Sequence, residues 1–157
     1  MKTIRILLCS AALAAPLAHA QVKVEDPWVR ATVAGQGVTG AFMQITSKEA
    51  AKLVGASSPA AGYVEIHEMT MSGNTMKMRA VPSVDLPSGK AVVLGPGGYH
   101  VMLFDLKAPL AAGNQVPLKL VFEGKDRKRT EVEVKAFVRD GFKQVPEKSG
   151  ATQSHKQ

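Results

Sequence analysis

Residues 95–106 read GPGGYHVMLFDL. Successive side chains on a β-strand point to opposite faces of the sheet, so residues two apart share a face. Val101 and Leu103 would therefore lie on one face of this stretch, and His100 and Met102 on the other. The Gly/Pro-rich lead-in is typical of a turn. The stretch thus predicts a strand with one apolar face for a core and a second face that carries an imidazole and a thioether.

Similar strand-like runs, separated by turn residues such as Gly35-Gln36-Gly37 and Pro87-Ser88-Gly89, continue along the chain. Short strands at this spacing predict an all-β sandwich or barrel. Residues 47–61 lack the alternation and are expected to form a short helix or an irregular loop, and Trp28 is expected to contribute to the core. The predicted strands are Val22–Glu25, Trp28–Val33, Thr39–Thr46, Tyr63–Met69, Met76–Val81, Ala91–Leu94, Tyr99–Leu106, Val116–Phe122 and Thr130–Val138.

The first 20 residues have the pattern of a secretory signal peptide. Lys2 and Arg5 form a positive n-region, residues 6–17 supply an apolar stretch, and Ala18-His19-Ala20 matches an A-x-A cleavage site. The apolar stretch is too short to span a bilayer, so no stable membrane insertion is expected. We expect cleavage after Ala20, a mature chain that begins at Gln21 and a periplasmic location.

Removing 20 of the 157 residues leaves 137, which is enough for one domain with a core. The single cysteine, Cys9, would leave with the signal peptide, so the mature chain carries no thiol. The basic residues fall from 20 to 18 against 13 acids, a net charge of +5. A solvated basic surface on an exported chain with few aromatics does not favour nucleic-acid binding. We expect a monomer with one domain over residues 21–140 and a polar, disordered tail over 141–157.

Methionine and histidine are concentrated in the middle of the chain. Five of the six methionines after the signal peptide lie within residues 67–102, together with two of the three remaining histidines. A hairpin turn at Ser72-Gly73-Asn74 would bring His67 close to Met78. Methionines also fill gaps in cores, and Met43 is best interpreted in that way. Soft sulfur selects Cu(I) among the common metals, and imidazole is acceptable to it. The cluster of His67, Met78, His100 and Met102 therefore indicates a copper site.

The spacing within this cluster resembles the signature of the periplasmic copper chaperones of the PCuAC family, His-x10-Met-x21-His-x-Met. Ten residues separate His67 from Met78, and twenty-one separate Met78 from His100-Val101-Met102. The resemblance covers roughly residues 22–138. The flanking segments that agree with the family are Asp26-Pro27-Trp28-Val29-Arg30-Ala31, Thr39-Gly40-Ala41-Phe42-Met43, Val64-Glu65-Ile66-His67 and Gly95-Pro96-Gly97-Gly98-Tyr99-His100.

The resemblance implies a cupredoxin-like antiparallel Greek-key β-sandwich that is not an enzyme. It also implies delivery of Cu(I) toward the copper centre of cytochrome c oxidase, either to an oxidase subunit or through a thiol-bearing assembly factor. Some members have methionine after the first histidine, where this chain has Glu68. Others carry a His- or Met-rich C-terminal extension for Cu(II), and this tail has only His155. The implied Cu(I) ligands are His67, Met78, His100 and Met102.

Other functions remain open to different degrees. Blue-copper electron-transfer sites need a cysteine thiolate, which the mature chain lacks. Copper oxidases and dismutases use sites richer in histidine, and no serine lies in a nucleophile motif. A metal-free Met-rich module for protein binding and a general periplasmic copper-storage or resistance protein are the remaining alternatives. Copper stoichiometry under reducing conditions separates the metal-free module from a copper carrier.

Overall fold

The computed structural model describes residues 21–141 and contains ten strands and no helix within that range. None of these residues belongs to a helix that could cross a membrane. The predicted signal peptide (residues 1–20) and the predicted tail from residue 142 onward lie outside the described residues. The strands are β1 Val22–Arg30, β2 Val38–Ser47, β3 Ala51–Ser57, β4 Tyr63–Ser72, β5 Thr75–Ala80, β6 Val84–Leu86, β7 Ala91–Leu94, β8 Tyr99–Phe104, β9 Gln115–Gly124 and β10 Arg129–Arg139.

All ten strands belong to one sheet, in the order β5-β4-β8-β2-β1-β10-β9-β3-β6. The start of β2 pairs with β8 and its end pairs with β7, which lies off this path. The all-β prediction is confirmed, but one pair is not antiparallel. The first and last strands, β1 and β10, run parallel. They are separated by the rest of the domain rather than by a hairpin, so no tight turn imposes an antiparallel direction.

The sheet curls back on itself, because β3 near one end of the order contacts β4 near the other end. The inward faces of both halves supply a single core. Burial of alternate residues accounts for the strand patterning, since each inward side chain leaves water while its neighbours stay near the surface. The hydrophobic residues with no exposed surface are Val29, Ala41, Ile45, Leu53, Val101, Leu103, Leu120 and Ala136.

The sequence predicts two strands, Val22–Glu25 and Trp28–Val33, on either side of Asp26-Pro27. In the structure Asp26-Pro27 does not end the first strand, because β1 continues through it. This segment forms a β-bulge, where the β1–β2 register shifts between Glu25 and Trp28. Asp26 takes a φ of 46° there, a conformation that aspartate tolerates better than most residues. Its carboxylate accepts hydrogen bonds from the guanidinium of Arg139 on β10. A bulge re-aims a strand without ending it.

Trp28 does not lie in the core, contrary to the prediction. Its neighbour Val29 points inward, so Trp28 points to the outer face, where it is half-buried. Its ring packs on Phe42 at 4.5 Å between centroids, and the Arg139 guanidinium lies 5.9 Å from its centroid. The bulge decides this orientation, because one extra residue reverses the face on which each later side chain lies.

The prediction of a helix or loop over residues 47–61 is wrong, since β3 lies within it. β3 contains its own register shift, between Leu53 and Gly55 in the pairing with β9. This shift breaks the alternation, so Leu53 is buried while Val54, Gly55 and Ala56 are all half-buried. β6 has no counterpart among the predicted strands, because its three residues are too few to show a period.

Candidate metal centre

Strands β4 and β8 place the two histidines opposite each other. In their antiparallel pairing His67 faces His100, and Glu65 faces Met102. The inward face of β8 carries Val101 and that of β4 carries Ile66, so the four polar or sulfur-bearing side chains share the outer face. Both histidines are nonetheless buried, at 7% and 5% exposure, and their ring centroids lie 6.0 Å apart.

The hairpin of β4 and β5 brings the first methionine to this pair. A two-residue turn joins the strands at Gly73-Asn74, with Gly73 at a φ of 62°, which glycine adopts without steric penalty. The resulting register sets Met78 opposite Met69, two residues beyond His67 on the same face. The predicted proximity of His67 and Met78 thus follows from a short turn with the correct register.

His100 is oriented with one ring nitrogen turned toward sulfur. Its Nδ1 lies 3.0 Å from the carbonyl oxygen of Gly98, which can only accept, so Nδ1 carries the proton. Its Nε2 then bears a lone pair and lies 3.3 Å from Sδ of Met78. Two electron-pair donors that face each other at this distance are arranged as ligands of a soft cation rather than as a strong hydrogen bond.

His67 has a different set of neighbours. Its Nε2 lies 2.8 Å from a carboxylate oxygen of Glu65, so Nε2–H donates and the other nitrogen bears the lone pair. That nitrogen, Nδ1, is buried and has no hydrogen-bond partner in the structure. A buried imidazole nitrogen without a partner is costly unless something binds it. This arrangement matches the carboxylate–histidine–metal pattern of metalloproteins.

Met102 completes the predicted set. It lies on β8 two residues after His100, on the same face. It is half-buried and faces Gly40 of β2 on one side and Glu65 of β4 on the other. Met102, Met69 and His100 line an open cleft of about 390 Å³. The structure therefore brings the four predicted residues to one face, and it adds Met69, whose role the sequence left unassigned.

Aromatic rings enclose the two imidazoles. The Phe42 ring lies 6.3 Å from that of His100, and the Phe104 ring 5.8 Å from that of His67. Tyr63 stacks on Phe104 at 4.8 Å and nearly parallel. These rings limit the access of water to the site. Alternation along β2 and β8 predicts that Phe42 and Phe104 lie on the outer face. Their contacts with the histidines depend on the order of the strands.

Glu68, where the chain departs from some family members, points away from the candidate site. It lies on the opposite face of β4 and accepts hydrogen bonds from Arg79 at 2.9 and 3.2 Å. The guanidinium of Arg79 lowers the pKa of this carboxyl, and the carboxylate in turn raises the pKa of Tyr99. Glu68 thus links β4, β5 and β8 on the face opposite the candidate site. Having Glu68 where some family members have methionine therefore leaves the outer face unchanged.

Harder ligands do not gather elsewhere in residues 21–141. Within this range no three His, Cys, Asp or Glu side chains are placed to hold a metal. A larger open cleft of about 520 Å³ lies between β3, β6 and β9, with Lys52, Asp85 and Lys125 at its walls and no histidine or methionine. The outer face of β4, β5 and β8 is therefore the candidate metal centre.

The fold and this site together define a small cupredoxin-like β-sandwich with imidazole and thioether groups gathered on one sheet face. Residues 22–135 match the family described as "Putative lipoprotein LpqE-like". The chain belongs to this family, which is the PCuAC family. The family predicted from the sequence is thus confirmed.

Two relatives illustrate the extent of the sequence similarity. The chain is 39% identical over 119 residues to "Putative lipoprotein Lxx21020" of Leifsonia xyli, which covers 74% of this chain and 70% of the relative. It is 33% identical over 123 residues to "Uncharacterized protein RP573" of Rickettsia prowazekii, which covers 74% and 68% of the two chains. The similarity therefore extends over most of each protein.

Solved structures with the same fold include PCuAC domains with and without copper. The apo PCuAC domain of PmoF1 superposes with a TM-score of 0.62 at 30% identity, over 76% of this chain and 94% of that domain. The copper-bound PCuAC domain of PmoF2 gives 0.62 at 27% identity, over 76% and 93%. The solution structure of CuI-DR1885 from Deinococcus radiodurans gives 0.55 at 30% identity, over 79% and 84%.

Proposed function

We propose that this protein is a periplasmic copper chaperone that binds one Cu(I) ion through His67, Met78, His100 and Met102. The observation that carries the proposal is the approach of His100 Nε2 to the Met78 sulfur, at 3.3 Å. The buried, unpartnered Nδ1 of His67 supports it. The copper-bound relatives PmoF2 and DR1885 support the identity of the ion.

The ligand chemistry favours Cu(I) over harder ions. Thioether sulfur is soft and stays unprotonated at any physiological pH, and imidazole accommodates Cu(I) as well as Zn²⁺. Two imidazoles and two thioethers are all neutral, so the ligands themselves carry no negative charge to balance that of the bound ion. Binding is then firm, yet a thiolate acceptor that supplies negative charge can remove the ion. This is the behaviour of a carrier rather than of a catalytic site.

The position of the site also suits transfer. Met78 is 48% exposed and lies on the edge strand β5, whereas the histidines beneath it are buried. A partner can therefore approach the sulfur without opening the core. We propose a thiol-bearing assembly factor or an oxidase subunit as the acceptor, with delivery toward the copper centre of cytochrome c oxidase. A strain that lacks this protein tests that step. Its oxidase should lose copper, and only the wild-type gene should restore the copper.

An exported location fits a carrier without thiols. The family and the Leifsonia relative both carry the word lipoprotein in their descriptions, which supports export. In an oxidising compartment a thiol carrier would be lost to disulfides, while methionine is changed only by oxidation to the sulfoxide. We propose that the mature chain begins at Gln21, since the apolar run before Cys9 is short for a lipid-anchor signal.

The decisive experiment is titration of the mature chain with Cu(I) in competition with a chelator of known affinity. We expect one tightly held ion. Replacing each ligand in turn (His67→Ala, His100→Ala, Met78→Leu, Met102→Leu) should weaken it. Met43→Leu is the matched control, because Met43 is a core methionine at 3% exposure and a Met-to-Leu exchange is tolerated there.

Three results would contradict the proposal. Wild-type protein that holds zinc tightly and no Cu(I) would exclude a soft-ion carrier. Protein that binds no metal at all would favour the alternative of a Met-rich protein-binding module. A chain that binds several ions without affecting oxidase copper would instead favour storage or resistance.

A further inference from the structure

The β4–β5 hairpin separates its side chains by type. Met69 faces Met78 and Met71 faces Met76, so four methionines share one face in two directly opposed pairs. Alternation assigns the other face to polar residues only, namely Glu68, Thr70, Ser72, Thr75, Lys77 and Arg79. The methionine face is the one that carries His67, so a row of thioethers leads from the candidate metal centre to the tip of the hairpin.

The outer half of this hairpin has no covering layer among the described residues. The pairing of β4 with β8 ends at Glu68 and Tyr99, and one further hydrogen bond joins the Met69 amide to the Gly98 carbonyl at 3.1 Å. Beyond that point only β5 accompanies β4, and all six residues of β5 are exposed. Met71 and Met76 are therefore on a two-stranded arm in water, at 63% and 48% exposure.

Exposed methionines contribute little to stability at this place. Burial of a methionine side chain stabilises a fold, and Met71 and Met76 forgo about half or more of that stabilisation. Side chains directly opposite on antiparallel strands have Cβ atoms about 5 Å apart, and the unbranched methionine side chain has three rotatable bonds. The two sulfurs can thus reach a common ion, and the sulfur of Met69 lies next in the row.

We propose that Met71 and Met76, with Met69, form a second and outer site for a soft monovalent cation. This inference rests on the proposed function, since the outer site would be the place where Cu(I) enters and leaves the inner site of His67, Met78, His100 and Met102. The outer site has thioether ligands alone and lies open to water. It therefore holds the ion more weakly than the inner site, as a point of transit requires.

The test uses Ag(I), a soft monovalent ion, added to the mature protein labelled with carbon-13 at the methionine methyl groups. Each methyl signal is assigned by single Met-to-Leu variants. The first equivalent of Ag(I) should shift the signals of Met78 and Met102. Further Ag(I) should shift those of Met71 and Met76, and the Met43 signal should stay in place because Met43 lies in the core.

The double variant M71L/M76L provides the second measurement. It should lose the weaker equivalent of bound Ag(I) and keep the tight one, with an unchanged circular dichroism spectrum, since both side chains are exposed. Met43→Leu should keep both equivalents. Cu(I) under reducing conditions should reproduce the two stages.

The outcomes separate the two proposals. If the methyl signals of Met71 and Met76 do not move in excess Ag(I), the outer site is overturned, whatever happens at the inner site. If they move while those of Met78 and Met102 do not, the outer site stands and the proposed function is wrong. If M71L/M76L keeps the second equivalent, the weaker ion lies elsewhere and the assignment to this hairpin is refuted.

Discussion

Replacing Glu65 by glutamine tests how the first histidine is held. The carboxylate of Glu65 accepts a hydrogen bond from Nε2–H of His67 at 2.8 Å, which leaves the buried Nδ1 as the nitrogen with the lone pair. A carboxylate in this position fixes the tautomer and makes the ligating nitrogen more basic. Glu65→Gln keeps the size of the side chain and removes the charge. We expect it to weaken Cu(I) binding.

The size of the effect follows from the exposure of the carboxylate. Partners of this kind typically contribute 10- to 100-fold to metal affinity. The Glu65 side chain is 44% exposed and that of His67 only 9%, so water screens part of the interaction. We therefore expect a loss at the lower end, about tenfold, which corresponds to about 1.4 kcal/mol.

The assay is the chelator competition with Cu(I), performed on Glu65→Gln and on Glu133→Gln side by side. Glu133 is a 78% exposed carboxylate on β10, so its replacement removes the same charge without touching the site. A Glu65→Gln protein that binds Cu(I) more tightly than wild type would refute the reasoning. That result would mean that Nε2 is the metal ligand and that Glu65 competes with the ion for it.

Three further outcomes are expected. Leu120→Ala, at a core position with no exposed surface, should lower the free energy of unfolding by about 3 kcal/mol in urea titration. Val93→Ala, at 63% exposure, should change it by less than about 0.5 kcal/mol, and equal losses would contradict the burial pattern. The hydrogen bond from Lys23 lowers the pKa of Glu25 from its ordinary 4.5, so this pair stabilises the fold above that pH and less as the pH falls through the lowered value. Lys23→Ala should therefore lower the urea midpoint near neutrality and lose this effect in acid, whereas a pH-independent difference would exclude the pair as its cause. Intact mass spectrometry of the exported protein should give a chain that begins at Gln21, and a lipid-modified chain that begins at Cys9 would refute the cleavage prediction.

Most strands could be predicted from the sequence because their alternation is a local property. β8 has Val101 and Leu103 two apart on one face, β7 is a short apolar run between Gly-containing turns, and the structure has strands at Tyr99–Phe104 and Ala91–Leu94. The failures lie where the period is interrupted. The β3 register shift and the β1 bulge each insert a residue into the pattern, and pairing with a distant strand is what stabilises such an insertion.

Part of the candidate site could likewise be predicted from the sequence, and part of it could not. The residue types, their spacing and the sharing of a face by His100 and Met102 follow from the sequence, since two residues on one strand need no other strand to be aligned. The pairing of His67 with His100 depends on β4 lying beside β8 in one register, and a slip of one residue would turn His67 into the core. The sequence by itself therefore determined the chemistry of the candidate ligands. The tertiary structure alone decided that the Met78 sulfur faces His100, because this contact joins β5 and β8 across β4 and no local pattern encodes the order of the three strands.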